Sequence, residues 1–250
     1  MIRTQQISST SANPISYQDF ETVNVLRWKN SKWKTLCPYF LLTDGHETHK
    51  NDGGILFENF WQGSKVYKKI VSNEVYPSKY QQNNPKYLWW KFDTENKNGD
   101  ILIDNQGKVD MEKYLNWRTS IWSCSNPIRY PNKIQNRKDC QFALVIDKDG
   151  NETRMDYITF RKAVYVKEYI RLIRKTDEYK ELLSMLKEGK NIMICEIDVP
   201  AKNKTGNYKC KNNSNISSEI TLEYLNTLME DPSHAFGHGL ALAMALLSDK

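Results

Sequence analysis

The chain has 250 residues and a formal net charge of +6 at pH 7, from 36 lysines and arginines against 30 acidic residues. Hydrophobic residues make up 39% of it and charged residues 26%, a balance typical of a folded globular protein and not of a disordered or fibrous one. The longest apolar stretch, residues 239–247, is less than half of the about 20 residues that a membrane-spanning helix needs, so we expect no membrane span.

The start of the chain and its cysteines bear on its location in the cell. Residues 1–20 are rich in Ser, Thr and Gln and contain no apolar segment of the kind that a secretory signal requires. The five cysteines are an odd number without a CxxC pair, which indicates reduced thiols rather than disulfides or a zinc knuckle. We therefore expect a cytoplasmic protein with a poorly ordered leader over residues 1–20 and one domain over residues 21–250.

Two segments in the first third of the chain have recognisable patterns. Residues 35–43 form a short apolar run that ends at the turn former Asp44-Gly45, as a strand or a tight coil does. Residues 57–70 carry apolar side chains at positions 57, 60, 61 and 67, and this spacing predicts a helix.

The clearest helix is predicted over residues 157–175, where apolar side chains recur every three or four positions opposite charged ones. A second helix is predicted directly after it. Thr176 can accept the hydrogen bond of an N-cap, and Gly189 is placed to end this second helix.

The last third of the chain combines a buried strand with two helices. Residues 191–199 are largely apolar and are followed by Pro200, which predicts a buried strand that stops there. Helices are predicted near residues 220–230 and 239–247, and the second is apolar on nearly all sides and therefore buried. Because helices outnumber strands without a regular alternation, we expect an α+β fold, mainly helical, in a single compact domain.

A polar stripe in the first predicted helix is the most informative feature of the sequence. Glu58, Gln62 and Lys65 lie at i, i+4 and i+7, so on a helix they share one face while the aromatic residues between them face the core. The acid and the amine are too far apart for a direct pair, which leaves room for another group between them. Gly63 inside a helix costs about 1 kcal/mol relative to Ala, and a close approach by a ligand or a second backbone would explain it. An ordinary amphipathic helix with a charged outer face fits the same pattern.

This segment resembles the signature helix of the NADAR family, in which Glu-His-x-x-Gln-x-x-Lys follows an aromatic or hydroxyl-bearing run. Residues 58–65 match its Glu, Gln and Lys, and Asn59 stands in place of the histidine. Upstream, Cys37-Pro38-Tyr39-Phe40 and Gly53-Gly54 are similar to the loop and glycine turn that precede the family's helix.

Later blocks are similar to the family in the same order. Residues 161–165, 179–186 and 192–196 resemble an Arg-led helix, its Leu-rich follower and a strand that ends in Glu. Residues 236–239 are similar to the family's Trp-Gly-x-Gly, with Phe236 in place of Trp and Ser233 where the family has Asp. The resemblance touches about half of the chain, and residues 72–156, which have no counterpart, are expected to be a central insertion.

NADAR proteins are N-glycosidases that cleave a ribose C1-to-nitrogen bond, in ADP-ribosylated guanine of nucleic acid or in ribosylamino intermediates of riboflavin synthesis. The resemblance therefore implies a hydrolase of this class that needs no cofactor and no metal. Such a bond breaks through an oxocarbenium-like state, which requires a proton for the leaving nitrogen and negative charge or a nucleophile near C1. The implied catalytic residues are Glu58 as acid or cation stabiliser, Lys65 as Schiff-base nucleophile or phosphate holder, and Glu196 as a second carboxylate.

The resemblance also implies a set of substrate-binding residues. Gln62 would orient a ribose hydroxyl, Phe236 would stack on a base, and the amides of Gly237 and Gly239 would approach a phosphate or hydroxyl closely. Tyr39 and Trp61 complete the set. The expected partner is ADP-ribosylated nucleic acid or a small nucleotide-like substrate, and the mild positive net charge favours such an anion.

The central region offers a second argument for nucleic acid. Aromatic residues alternate there with arginines, as a stacking platform for bases requires, although large aromatic residues are also common core anchors. The residues in question are Trp89, Trp90, Trp117, Arg118, Trp122, Arg129, Tyr130 and Arg137.

Two histidine clusters could in principle hold a metal ion. One combines His46 and His49 with Asp44 and Glu47, and the other spaces His234 and His238 as on a helix. The first lies in a polar turn and the second spans Phe236-Gly237, so no metal is expected.

Two other classes of function stay open. One is a non-catalytic module that binds nucleic acid, ADP-ribose or a nucleotide on the same scaffold. The other is a structural or interaction protein, which would have no concave pocket beside the Glu58 helix.

Overall fold

The computed structural model describes residues 1–7, 18–26, 32–44, 54–70, 100–128, 140–147, 149–199, 216–217, 219–233 and 235–250. The predicted α+β class, mainly helical, is confirmed. The chain divides into two compact units, where the sequence predicts one domain with an insertion. The first unit comprises residues 1–41 and 161–250, and the second comprises residues 42–160.

The helices are α1 (Phe57–Gly63), α2 (Met111–Trp122), α3 (Tyr157–Phe160), α4 (Lys167–Ile173), α5 (Asp177–Lys187), α6 (Leu222–Glu230) and α7 (His238–Asp249), with a 3-10 helix (Lys32–Leu36) and a π-helical turn (Arg161–Val166). The strands are β1 (Ile2–Gln6), β2 (Phe20–Asn24), β3 (Leu42–Thr43), β4 (Ile55–Leu56), β5 (Lys65–Tyr67), β6 (Lys69–Ile70), β7 (Asp100–Ile101), β8 (Cys140–Ile146), β9 (Glu152–Met155) and β10 (Asn191–Glu196). None of the helices in the described ranges is long and apolar enough to cross a bilayer.

The first unit is built on a three-stranded parallel sheet. The predicted strand β10 lies in the centre, with β1 and β2 on either side. Its residues from Ile192 to Glu196 are all buried, as expected for a parallel strand covered on both faces. Gln6 pairs with Glu196 and Asn24 pairs with Cys195, so the ends of all three strands meet beside the predicted second carboxylate.

The prediction of a disordered leader is wrong for residues 2–6, which form β1. Its polar residues Thr4 and Gln5 are buried and have partners far along the chain. The backbone N–H of Thr4 donates to Ser217 Oγ at 2.8 Å, and Cys195 Sγ lies 3.5 Å from Gln5 Oε1. Residues 8–17 lie outside the described ranges.

The helices predicted in the second half of the chain are confirmed. Residues 157–173 form α3, the π-helical turn and α4 in succession. Thr176 Oγ1 caps α5 by accepting from Tyr179 N at 3.2 Å, and Gly189 follows its end with φ at +86°. The apolar helix α7 is buried from Gly239 to Leu246, against β10, α4, α5 and α6.

The helix predicted over residues 57–70 is wrong beyond Gly63. Residues 57–63 form α1, and the chain then enters β5, whose residues pair in antiparallel fashion with β8. A strand about 75 residues later in the sequence therefore decides the conformation of Lys65, and the local periodicity does not. The run at residues 35–43 becomes the end of the 3-10 helix, a turn and the short strand β3.

The stacking platform predicted in the central region is wrong for the residues on α2. Trp117, Arg118 and Trp122 are buried, and α2 packs on α1. The Arg118 guanidinium lies over the rings of Tyr114 and Trp122, at 5.4 and 4.5 Å from their centroids. Helix α2 of the expected insertion thus contributes to the core of the second unit. Trp89, Trp90, Arg129, Tyr130 and Arg137 lie outside the described ranges.

The glycine in α1 is explained by the same packing. A Cβ at Gly63 would lie 2.6 Å from Nε1 of the Trp122 indole, which itself packs on the Phe60 ring with centroids 5.6 Å apart. The close neighbour is therefore a side chain of α2 and not a second backbone.

Replacing Gly63 with Ala should destabilise the protein. Helix propensity would favour Ala by about 1 kcal/mol, but overpacking against a buried indole costs about 1–3 kcal/mol. We expect a net loss in the free energy of unfolding by urea denaturation. In a Trp122→Leu background the same Gly63→Ala change should be neutral or stabilising, and an equal loss in both backgrounds would contradict this packing.

Candidate functional site

Three of the predicted site residues form a buried hydrogen-bonded chain in the second unit. Gln62 Nε2 donates to Glu58 Oε1 at 2.8 Å, and Lys65 Nζ donates to Gln62 Oε1 at 3.1 Å. The residues Glu58, Gln62 and Lys65 are only 8, 9 and 7% exposed. The space that the sequence predicts between the acid and the amine is thus occupied by the Gln62 amide, which couples the two groups.

The Lys65 side chain reaches this chain from β5. Its ammonium lies 4.3 Å from the centroid of the Trp61 ring, a cation–π contact. The Trp61 ring is also stacked on Phe160, with centroids 4.5 Å apart and planes 3° from parallel. The Trp61 ring therefore packs against the Lys65 ammonium and the Phe160 ring, and its predicted contact with substrate stays a prediction. Its role is to hold the lysine.

Asn59, which stands where the resemblance predicts a histidine, is a structural anchor. Its Nδ2 donates to the carbonyls of Cys124 and Asn126, each at 3.0 Å, and its Oδ1 accepts from Ile128 N at 2.7 Å. The residue is fully buried. It fixes the segment after α2 against α1, on the helix that carries Glu58 and Gln62.

The predicted second carboxylate, Glu196, lies in the first unit at the end of β10. Its Oε1 accepts from Ile197 N at 2.7 Å, and its Oε2 accepts from Gly239 N at 3.1 Å, at the start of α7. The positive end of a helix dipole favours a carboxylate at this position. The amide of Gly239 is therefore bound by Glu196 in this structure, and its predicted approach to a phosphate or hydroxyl stays a prediction.

The two glycines allow this close approach. A Cβ at Gly239 would lie 2.9 Å from Glu196 Cβ, and one at Gly237 would lie 2.9 Å from Asp198 Cβ and 3.4 Å from Glu196 Cδ. Only glycine fits between the carboxylate and the start of α7.

His238 is the titratable residue beside Glu196 that the sequence prediction did not place at the site. Its Nδ1 lies 2.8 Å from Glu196 Oε2, and its Nε2 lies 3.3 Å from the carbonyl oxygen of Val25. Both ring nitrogens face oxygen acceptors, which favours the doubly protonated imidazolium. The sequence signal is a histidine between two glycines, and its helical spacing from His234 indicates at most a metal ligand.

In this buried pair, each charged group stabilises the charged form of the other. Burial opposes ionisation of both groups, yet the Glu196 carboxylate and the hydrogen bonds of the ring raise the pKa of His238 well above its usual value. For Glu196, burial is outweighed by the His238 charge and by hydrogen bonds from His238, Ile197 and Gly239, which bring its pKa below the usual value. The two residues therefore form a buried ion pair.

The remaining predicted residues are distributed between surface and core. Phe236 is buried, so it presents no open face for a base. Tyr39 is half-buried in the turn after the 3-10 helix. The structure thus brings Glu58, Gln62, Lys65 and Trp61 together in one unit, and Glu196, Gly237 and Gly239 together in the other.

A metal site needs several ligating side chains that converge on one point. Among the described residues, no group of three or more His, Cys, Asp or Glu side chains has an arrangement that could hold a metal ion. His46, Glu47, His49 and His234 lie outside the described ranges.

Comparison of this chain with protein-family models, with curated proteins and with solved structures finds no match. A functional interpretation therefore depends on the side-chain geometry and on the resemblance of residues 58–65 to a family motif.

The Glu196–His238 pair should make stability depend on pH. The raised pKa of His238 contributes stability that is complete below about pH 6.5, its unfolded value, and is lost as pH rises through the folded value. The lowered pKa of Glu196 contributes stability that is complete above about pH 4.3 and is lost as pH falls through the folded value.

Urea denaturation of wild type and His238→Gln measures this contribution. The stability advantage of wild type should be largest between about pH 4.3 and 6.5 and should then fall by up to about 1.4 kcal/mol per pH unit on the alkaline side. A difference that does not change with pH would show that His238 is not charged in the folded protein.

Proposed function

We propose that the chain is an N-glycosidase that hydrolyses a ribose C1–N bond. The observation that carries the proposal is the buried chain Glu58–Gln62–Lys65, in which a carboxyl group and an amine are coupled through one amide. Cleavage of such a bond needs a proton donor and a nucleophile or negative charge on opposite sides of one carbon, and these two side chains supply both.

Each member of the chain has a chemical role in this proposal. Glu58 gives a proton to the departing nitrogen. Lys65, in its neutral form, attacks C1 as the C1–N bond breaks and passes its extra proton to the Glu58 carboxylate. Opening of the ribose ring then gives a Schiff base with Lys65, and water hydrolyses it to release the sugar and restore the amine. Gln62 exchanges its internal hydrogen bonds for those of a ribose hydroxyl when substrate enters.

Glu196 takes a different role from the one implied by the resemblance. Its negative charge is already paired with His238, so it is less suited to stabilise a substrate cation. We place it as a positioning residue that fixes the start of α7, and we keep Glu58 and Lys65 as the reacting groups.

The substrate that fits the proposal is an ADP-ribosyl group on guanine in nucleic acid, or a ribosylamine or nucleotide. This choice depends on the resemblance of residues 58–65 and 236–239 to the NADAR motifs and on the net charge of +6. No cofactor enters the reaction as proposed, because water and the side chains balance it.

A binding module without turnover is the second candidate, and one contact favours it. The Trp61 ring beside Lys65 Nζ stabilises the charged ammonium, which binds a phosphate but cannot attack a carbon. The two candidates differ in whether a bond is broken.

The test measures product release and binding on the same protein. Wild type is incubated with ADP-ribosylated DNA and, separately, with ribosylamino intermediates of riboflavin synthesis, and products are identified by mass spectrometry. Glu58→Gln should lower the rate by at least about 100-fold, since it removes the proton donor, while the dissociation constant stays within about threefold. Lys65→Met should abolish release.

The matched controls are Glu112→Gln and Lys68→Met, which change exposed residues of the same unit. Both should retain wild-type rates. Binding of ADP-ribose without release of product from any substrate would establish the binding module. If neither binding nor release is observed, the remaining class is a structural or interaction protein.

A further inference from the structure

The junction between α1 and β5 consists of Gly63, the last residue of the helix, and Ser64. Gln62 lies directly before the junction and Lys65 directly after it, and Lys65 Nζ donates to Gln62 Oε1 at 3.1 Å. Both junction residues are buried. The backbone conformation of the junction therefore contributes to where the Lys65 amine lies relative to the Gln62 amide.

Hydrogen bonds from several elements of the second unit hold this junction. Ser64 N and Oγ both donate to the Phe60 carbonyl, at 3.1 and 2.8 Å. The Ser64 carbonyl accepts from Leu144 N of β8 at 2.8 Å. The Gly63 carbonyl accepts from the Tyr114 hydroxyl of α2 at 3.1 Å. In this set of bonds, the partner contributed by a side chain of another element is Tyr114.

Tyr114 is fully buried, and its hydroxyl keeps its proton. Burial raises the pKa of this hydroxyl well above its usual value, although the Arg118 guanidinium, 5.4 Å from the ring centroid, acts in the opposite direction. A protonated hydroxyl is what the Gly63 carbonyl needs, because a carbonyl can only accept. The Tyr114 ring also packs on Trp117, with centroids 6.2 Å apart, and phenylalanine would keep that packing.

The peptide between Gly63 and Ser64 is the point at which the junction can move. The last carbonyls of a helix have no partner within it, and a residue without a Cβ rotates its backbone at the least steric cost. Trp122 requires glycine here, because a Cβ would lie 2.6 Å from its indole nitrogen. Without the Tyr114 hydroxyl, a buried carbonyl would lose its partner, and rotation of this peptide would be the shortest way to find another.

We infer that Tyr114 is a positioning residue, whose hydroxyl fixes the Gly63–Ser64 peptide and thereby holds the Lys65 amine on Gln62. Its effect on the reaction rate rests on the proposed function, whereas its effect on Lys65 is measured without turnover. Residues 72–156, which include Tyr114, have no counterpart in the NADAR resemblance. The inference therefore gives α2 of the expected insertion a part in the site.

Nitrogen-15 NMR of the lysine side chains tests the effect on Lys65. The exchange of its Nζ protons with water is measured at pH 6 in wild type, Tyr114→Phe and Tyr169→Phe, and the signal is assigned by its absence from Lys65→Met. Tyr169→Phe is the matched control, because its buried hydroxyl donates to the Leu36 carbonyl at 2.8 Å in the other unit. We expect exchange to be at least about tenfold faster in Tyr114→Phe and to change by less than about twofold in the control.

Steady-state kinetics on ADP-ribosylated DNA or a ribosylamino substrate tests the effect on the reaction. Because misplacement of a reacting group by about 1 Å can cost about 100-fold in rate, Tyr114→Phe should lower kcat by about 10- to 100-fold while KM stays within about threefold. Tyr169→Phe should keep the wild-type kcat. A merely structural role of Tyr114 would lower stability in both variants without this split between kcat and KM.

Equal Lys65 exchange in Tyr114→Phe and wild type would overturn the inference, as would the absence of a protected Lys65 signal from wild type or an unchanged kcat in an active enzyme. Faster exchange together with an inactive wild type would support the positioning role and contradict the glycosidase. If Tyr114→Phe does not fold, native-state hydrogen exchange of wild type decides. The Ser64 amide should then exchange only through global unfolding, and exchange through a local opening of the junction would overturn the inference.

Discussion

The hydrogen-bonded chain Glu58–Gln62–Lys65 is the interaction on which the functional account depends. Buried polar side chains are tolerated when their hydrogen bonds are satisfied, and the Gln62 amide bonds to the Glu58 carboxyl group at 2.8 Å and to the Lys65 amine at 3.1 Å. On a continuous helix Lys65 would lie about 10 Å along the axis from Glu58. The chain leaves α1 at Gly63, yet Lys65 at the start of β5 still reaches the Gln62 amide, so Gln62 bridges the helix and the strand.

Local sequence determines one part of this fold and distant partners determine the rest. The helices from residue 157 onwards, the Thr176 cap and strand β10 follow from apolar spacing, capping chemistry and a continuous apolar run, and all were predicted. Strand β1 was not, because its polar residues become buried only by pairing with β10 and Ser217. Likewise the Trp122 side chain of α2 is buried against α1, because Gly63 has no side chain to occupy that space.

The same distinction applies to the candidate site. The spacing of Glu58, Gln62 and Lys65 over seven residues predicts that they act together. It places all three on one helix, whereas Lys65 lies on strand β5. His238 was missed because its partners, Glu196 and the carbonyl of Val25, are 42 and 213 residues away in sequence. The two glycines beside it let Glu196 approach the start of α7, and this is visible only when β10 is known to end there.

Covalent trapping is the measurement that tests the central claim most directly. Wild type is mixed with ADP-ribosylated DNA in the presence of sodium borohydride, and the digested protein is analysed by mass spectrometry. The account predicts a reduced ribosyl adduct on Lys65, absent from Lys65→Met and present at wild-type level in Lys68→Met. Release of base at the normal rate without any adduct on Lys65, or an adduct on a different lysine, would contradict it.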